Sequence, residues 1–275
     1  MNTVKRLLII LIAVNVVFAF AGCGDTKESA AERKTLRIGA TPTPHAEILN
    51  RAKAAFEDKG YTLEIVEFTD YTSINPALAS GDLDANYFQH TQYLEDFTAK
   101  NKADIVSAGA VHYEPYGLYG GRKTSLQDLA DGAKIAVPND ATNEARALLL
   151  LEQAGLISLR ECAGILATTQ DIVGNPRQLE IVELAAEQIP RALQDVDYAV
   201  INGNYAIAAG LNVATDALVI EAADGEAGRV YANVVAVSRD RQEDPAVRVL
   251  LEILRSDEIT DWIRSYYQGA VLPVN

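Results

Sequence analysis

The chain has 275 residues, 49% of them hydrophobic and 23% charged, which suits one large or two modest globular domains and excludes a disordered chain. Its 24 basic residues face 38 acidic ones, a formal net charge of −14. The acidic excess argues against nucleic acid as a partner and against an electrostatic grip on anionic lipid. Two cysteines, Cys23 and Cys162, cannot build a disulfide scaffold.

Residues 1–22 read as a signal peptide. Lys5 and Arg6 form a charged start, Leu7–Phe20 an apolar run broken only by Asn15, and Ala21 and Gly22 the small residues a peptidase needs. The run falls short of the ~20 apolar residues of a membrane span. Phe20-Ala21-Gly22-Cys23 resembles a lipobox, with Phe20 in place of the usual Leu. A thiol is the nucleophile of thioether lipidation, so Cys23 is the expected lipid attachment point, carrying acyl chains such as palmitate. Residues 23–34 then form the lipidated N-terminus and a polar, flexible tether. Such a protein is extracytoplasmic and held to the bacterial cell membrane by its N-terminal lipid alone. Cys162 reads as structural.

From Thr35 onward strand and helix signals alternate. A strand is predicted at Leu36–Gly39, and a helix at Glu47–Lys59 with Ile48, Ala52, Ala55 and Phe56 on one face. Tyr61–Phe68 reads as a strand, Asn75–Ser80 as a short helix, Ala85–Phe88 as a strand and Thr91–Lys100 as a helix. Ile105–Ala110 and Val111–Tyr119 read as two extended stretches. Ser125–Ala130 is a short helix with Gly132 as its C-cap. Lys134–Val137 is a buried strand, and Asn139-Asp140 opens the next helix. Leu179–Leu184, Tyr198–Ile201, Ala217–Glu221 and Val230–Val237 are further strands, and Ala246–Tyr267 closes the chain as one or two helices.

This alternation predicts an α/β protein with mainly parallel sheet. There are too many strands for one small sheet. Two lobes, 35–114 plus 232–275 and 115–231, solve the problem, with crossovers near Val111–Tyr119 and Tyr231–Val237. A ligand then sits in the cleft between lobes, at the carboxyl ends of strands, where hinge closure buries it.

Catalytic patterns are absent. Gly117–Thr124 comes near a phosphate-binding loop but has Arg122 where a glycine must let the backbone wrap the phosphate. There is no G-x-S-x-G elbow. His45, His90 and His112 lack metal-ligand spacing. The sequence therefore predicts no enzyme, no cofactor and no metal.

Two segments carry more information. Asp82–Tyr93 packs Tyr87, Phe88, His90 and Tyr93 around a strand-to-helix junction, with Tyr71 just upstream. These aromatics read either as core or as an aromatic box at a strand's end. In Val137–Leu151 a strand ends at Pro138, Asp140 caps a helix, and Arg146 precedes a run of leucines. Arg146 is either part of an anion site or a side chain snorkelling to solvent.

FTDY, DANYFQH, HYEPYGLYG, VPND-x-TN-x-x-R-x-LLLL, NPRQLEIVEL, QIPRAL, AVINGNYA and the closing GAVLPV together resemble the methionine-binding lipoprotein family of the MetQ/NlpA type. These are substrate-binding proteins of methionine ABC transporters. The resemblance runs from the lipobox to the C-terminus. It implies a two-lobed type II periplasmic-binding-protein fold, methionine or a close analogue as ligand, and an ABC permease with its ATPase as partners. It also implies a pocket. Tyr71, Phe88, His90 and Tyr93 would surround the thioether, which packs well on aromatic edges. Arg146 would pair with the α-carboxylate, and Asn143, Asn202 and Asn233 would serve the zwitterion's two ends.

The chain departs from the family at Gln92 and Ala141, where Pro is usual, and at Tyr116, where Met is common. Gln92 and Tyr116 lie near the expected cleft. They leave open methionine of either hand, a derivative, a methionine-containing dipeptide or another small amino acid. A surface adhesion lipoprotein with a vestigial cleft is the reading from a different class.

Overall fold

The computed structural model describes residues 35–222 and 230–274. The signal peptide, Cys23 and the tether lie outside the described residues. Among the described residues no helix is long and apolar enough to cross a membrane.

The first half of the chain runs β1 (Thr35–Ala40), α1 (Glu47–Asp58), β2 (Thr62–Glu67), α2 (Ile74–Ala79), β3 (Ala85–His90), α3 (Thr91–Asn101), β4 (Ile105–Tyr113), β5 (Gly117–Gly120), β6 (Lys134–Pro138) and α4 (Ala141–Gln153). A small ribbon of β7 (Ser158–Leu159) and β8 (Ile172–Gly174) follows. After it come β9 (Glu180–Leu184), α5 (Ile189–Ala192), β10 (Tyr198–Ile201), α6 (Gly203–Ala208), α7 (Val213–Asp216), β11 (Ala217–Ile220), β12 (Ala232–Ser238), α8 (Pro245–Leu254), α9 (Asp257–Tyr267) and β13 (Leu272–Pro273). The long helices begin where short polar side chains take up free backbone donors. Asp140 accepts from Asn143 N, Asp244 from Ala246 N, and Ser256 from Ile259 N. α8 buries Val247, Leu250, Leu251 and Leu254, one stripe at helical spacing.

The strands form two main sheets, ordered β13-β4-β12-β3-β1-β2 and β11-β5-β10-β6-β9. The chain leaves the first sheet after Tyr113 and enters the second at Gly117. It comes back between Ile220 and Ala232. The predicted mainly parallel arrangement is corrected here. β1 runs parallel to β2 and β3, and β6 parallel to β9 and β10, because helices join them. The strands adjoining the sheet changes, β4, β5, β11 and β12, pair antiparallel. The second expected crossover is also corrected. Tyr231–Val237 belongs mostly to β12, which sits inside the first sheet between β3 and β4. Its unbroken apolar burial reflects that central place and not a connection. The expected break at Ala110 is absent as well, since β4 runs through to Tyr113. Cys162 is exposed and unpaired, so its structural reading is wrong.

One apolar cluster fills the first sheet with Leu36, Ile38, Phe56, Val235 and Leu250, and continues onto Ala136, Ala199 and Ile201 of the second sheet. Another packs Leu148 and Leu151 of α4 on Ile135, Val137 and Val200. The continuous cluster holds the strand ends of the two sheets close together. Across that approach the Tyr71 hydroxyl donates to Asn204 Oδ1, and Tyr205 donates to Thr69 O at 3.3 Å.

Candidate functional site

A narrow cavity lies where the two sheets meet. It is lined by Tyr71, Phe88, His90, Tyr93, Asn143, Arg146, Asn202 and Asn233, together with Gln89, Glu114, Gly203 and Asn204. All eight residues singled out from the sequence are therefore brought to one place. Glu114 and Asn204 were missed. Glu114 stood in the HYEPYGLYG block, but a lone glutamate there gave no hint of its partners.

The aromatic side comes from β3, the start of α3 and the loop after β2. Phe88 lies with its ring centroid 5.8 Å from both Tyr71 and Tyr93. Tyr87, its neighbour on the opposite face of β3, is fully buried and bonds to His112. The two readings of these aromatics thus divide between adjacent residues. Tyr87 is core and Phe88 is cavity wall, as strand alternation requires.

His90 ends β3 and caps α3. Its Nδ1 accepts from Tyr93 N at 3.1 Å, so the proton sits on Nε2 and points to Asn143 Oδ1 at 3.3 Å. Burial, with the nearby Arg146 charge, pulls its pKa down to about 3. His90 is therefore neutral at pH 7 and adds an uncharged ring to the aromatic wall.

The asparagines are oriented in series. Asp140 is acceptor-only, and Asn143 Nδ2 donates to both its oxygens at 3.0 Å. Burial pushes the Asp140 carboxyl up, and these hydrogen bonds oppose that shift. Asn143 Oδ1 must then face the other way, where it accepts from Tyr116 OH at 3.1 Å and Asn202 Nδ2 at 2.8 Å. Asn202 Oδ1 is left buried with no partner. Asn233, at the start of β12, accepts from His45 Nε2 at 3.0 Å.

Arg146 lies on the second turn of α4 and is 3% exposed, which excludes the snorkelling reading. Its Nε and Nη2 donate to Glu221 at 2.8 and 2.6 Å, a bidentate pair. Nη2 also donates to Glu114 O at 2.8 Å. The rings of Tyr116 and Tyr231 lie 4.2 Å from the guanidinium carbon. Burial alone would lower the Arg146 pKa, but the Glu221 carboxylate outweighs it and holds the group above its usual value. Burial would raise Glu221, and Arg146, Tyr113 and the Tyr116 N–H bring it below the usual carboxylate range. Nη1 is the nitrogen these contacts leave over. Tyr116 thus supports Arg146 from behind, and neither it nor Gln92 lines the cavity.

Glu114 sits between β4 and β5. Its Oε1 accepts from His112 Nε2 at 2.7 Å and lies 3.4 Å from His45 Nε2. Burial would raise its carboxyl, but the His112 hydrogen bond and the neighbouring charges bring it below the usual range. The donor atoms of His45, His112 and Glu114 lie within 4.8 Å of one another, as metal ligands would. Hydrogen bonds already use them.

The NlpA lipoprotein family matches residues 36–275. The methionine-binding lipoprotein MetQ of Bacillus subtilis is 41% identical over 96% of this chain and 97% of its own length. An ABC-transporter periplasmic substrate-binding protein from Coxiella burnetii has 43% identity and a TM-score of 0.82, over 87% of this chain and 100% of that one. A nutrient-binding protein from Burkholderia cenocepacia, solved bound to methionine, has 40% identity and a TM-score of 0.82, over 87% of this chain and all of that one.

Proposed function

The chain belongs to the NlpA lipoprotein family, and on that premise we propose that it captures methionine outside the cytoplasm and delivers it to an ABC permease and its ATPase. The observation that carries this reading is a single cavity that joins a buried arginine to an aromatic wall. Arg146 takes the α-carboxylate, with Nη1 as the free donor. Asn143, Asn202 and Asn233 set the polar end. Tyr71, Phe88, His90 and Tyr93 enclose the thioether, whose polarizable sulfur favours ring edges. Asn143 acts mainly by orienting Asn202, since its own amide is already engaged by Asp140, Tyr116 and Asn202.

Each sheet with its helices forms one lobe, 35–114 plus 232–275 and 115–231. The lobes close over the ligand, and the closed shape is what the permease recognises. Cys23 carries the lipid that keeps the protein at the membrane. The protein catalyses nothing and needs no cofactor.

A thermal-shift screen of the ligand-stripped protein against amino acids and methionine dipeptides tests the reading. Ligand at about 100 times its Kd adds ~2.7 kcal/mol. For a domain of this size that raises Tm by about 5–11 °C. Methionine is expected to give the largest shift. A larger shift from a dipeptide or another amino acid would reassign the ligand, and no shift from any of them would favour the adhesion reading.

A further inference from the structure

We propose that Tyr231 and Tyr113 are positioning residues for Arg146. From the first sheet they aim a guanidinium carried by the second, so that Nη1 faces the ligand's carboxylate. This rests on Arg146 taking that carboxylate, as argued above. Neither tyrosine lines the cavity.

Arg146 rides on α4, whose leucines pack on the second sheet. Its side chain is long and has several rotatable bonds. A bidentate pair fixes the guanidinium edge it uses, and leaves the plane free to tilt about that edge. Glu221 supplies this pair from the same side of the molecule. It directly follows β11, and its N–H donates to Tyr116 O at 2.9 Å, just before β5.

The first sheet supplies the rest. Tyr113, the last residue of β4, donates its hydroxyl to Glu221 Oε2, the oxygen that also accepts from Arg146 Nη2. Glu114 O, one residue on, accepts from the same Nη2 at 2.8 Å. Tyr231 directly precedes β12, and its ring centroid lies 4.2 Å from the guanidinium carbon, with that of Tyr113 at 5.6 Å. These rings attract the cation and confine the tilt that Glu221 leaves open. Tyr231 also stands edge-on to His90, with centroids 5.3 Å apart, so it backs both ends of the site. Its hydroxyl is buried and has no hydrogen-bond partner. Such a hydroxyl costs desolvation and returns no bond, so the ring is what this tyrosine contributes. Arg146 thus takes its aim from both sheets at once, at the two places where the chain passes between them.

The test is titration calorimetry on the full-length, ligand-stripped lipoprotein with methionine and with methioninol, which lacks the carboxylate. Wild type is expected to bind methionine thirty-fold or more tighter than methioninol. Tyr231→Leu keeps an apolar side chain and removes the ring. It should lower that ratio about tenfold, mostly through methionine, because methioninol does not engage the guanidinium. Tyr231→Phe should restore the ratio to within twofold of wild type. Tyr113→Phe removes one hydrogen bond to Glu221 and should lower the ratio about threefold, which reads the same support if Tyr231→Leu fails to fold. A folded Tyr231→Leu whose ratio stays within twofold of wild type, including one that loses both ligands equally, would overturn the inference and leave the proposed function standing. A ratio as low in Tyr231→Phe as in Tyr231→Leu would overturn the role of the ring. A wild type that binds methioninol as tightly as methionine would overturn the assignment of Arg146 and this inference with it.

Discussion

Arg146→Ala is the perturbation with the most to reveal, because the guanidinium has two separable jobs. It holds Glu221 by two hydrogen bonds, and it offers a nitrogen to the cavity. The side chains of the pair are 4% and 11% exposed, so truncation leaves a carboxylate almost out of water. Breaking such a buried pair costs about 3–5 kcal/mol, mostly through the orphaned charge. The lost stacking on Tyr116 and Tyr231 falls within the same figure. At about 2–4 °C per kcal/mol, ligand-free Tm should drop by roughly 6–20 °C. Helix α4 would keep its leucine face, so the variant still folds at low temperature, with a smaller margin. Binding should weaken by about thirty-fold or more. The double variant Arg146→Ala/Glu221→Gln separates the effects. Removing the orphaned charge should restore much of the Tm but none of the affinity. Arg146→Lys should restore neither fully, since an ammonium cannot make the two parallel bonds. The assays are calorimetric melting without ligand and methionine titration below the transition. A ligand-free Tm for Arg146→Ala unchanged from wild type would refute the buried-pair argument. Recovery of wild-type affinity in the double variant would show that Arg146 acts on structure alone.

Phe88→Ala should weaken methionine by roughly ten- to a hundred-fold, because burying a large apolar side chain is worth about 1.5–3 kcal/mol. Alanine should lose much less, and equal losses measured by calorimetry would return Phe88 to the core. Acidification should destabilise the protein well before its carboxylates titrate. His45 and His90 are held down to about 4 and about 3, whereas an unfolded histidine titrates near ~6.5. Between those values the unfolded chain binds more protons, so stability falls as pH drops from about 6.5, by up to ~1.4 kcal/mol per pH unit for each ring. Asp140 and Glu144, which burial raises, oppose this at the acid end. His90→Asn, which can still cap α3, should flatten the dependence of Tm on pH between 6.5 and 5, and an unchanged slope would sink the assignment. Cys23→Ser should abolish incorporation of labelled fatty acid in cells, and retained label would remove Cys23 as the acylation site.

Local features were legible in the sequence, and distant pairings were not. The Asp140 cap and the start of α4 could be read because a capping carboxylate and the donors it serves lie within three residues. Arg146 and the four aromatic rings stood out in the sequence with two readings each, and the family-like blocks favoured one of them; Asn143, Asn202 and Asn233 were legible only through those blocks, since taken alone they are ordinary asparagines near element ends. Glu221 and Glu114 escaped notice for a physical reason. Glu221 meets Arg146 across 75 residues of chain, and the Glu114 carboxylate, though bonded to nearby His112, gains its place beside distant His45 only in the fold; an acidic chain offers many carboxylates that look the same in one dimension. Strand direction was misjudged at β4, β5, β11 and β12, because apolar periodicity records burial and carries no sense of polarity. The place of Tyr116 was similarly hidden. It departs from the family, yet it supports Arg146 from behind and does not alter the cavity wall.

The charges around the cavity also limit which ligands fit. Arg146 is one cation, Glu221 and Glu114 are two anions, and His45 and His90 are neutral at pH 7. These groups stand in a place largely removed from water. An amino acid with an acidic side chain would add a further anion among aromatic rings, where desolvation costs several kcal/mol without a partner. A zwitterion with an apolar side chain adds no net charge. The polar groups that meet it are already fixed by the Asp140–Asn143–Asn202 series, by Glu221 and by the two histidines. Little ordering of these groups is left for binding to do, and that preorganisation lowers its cost.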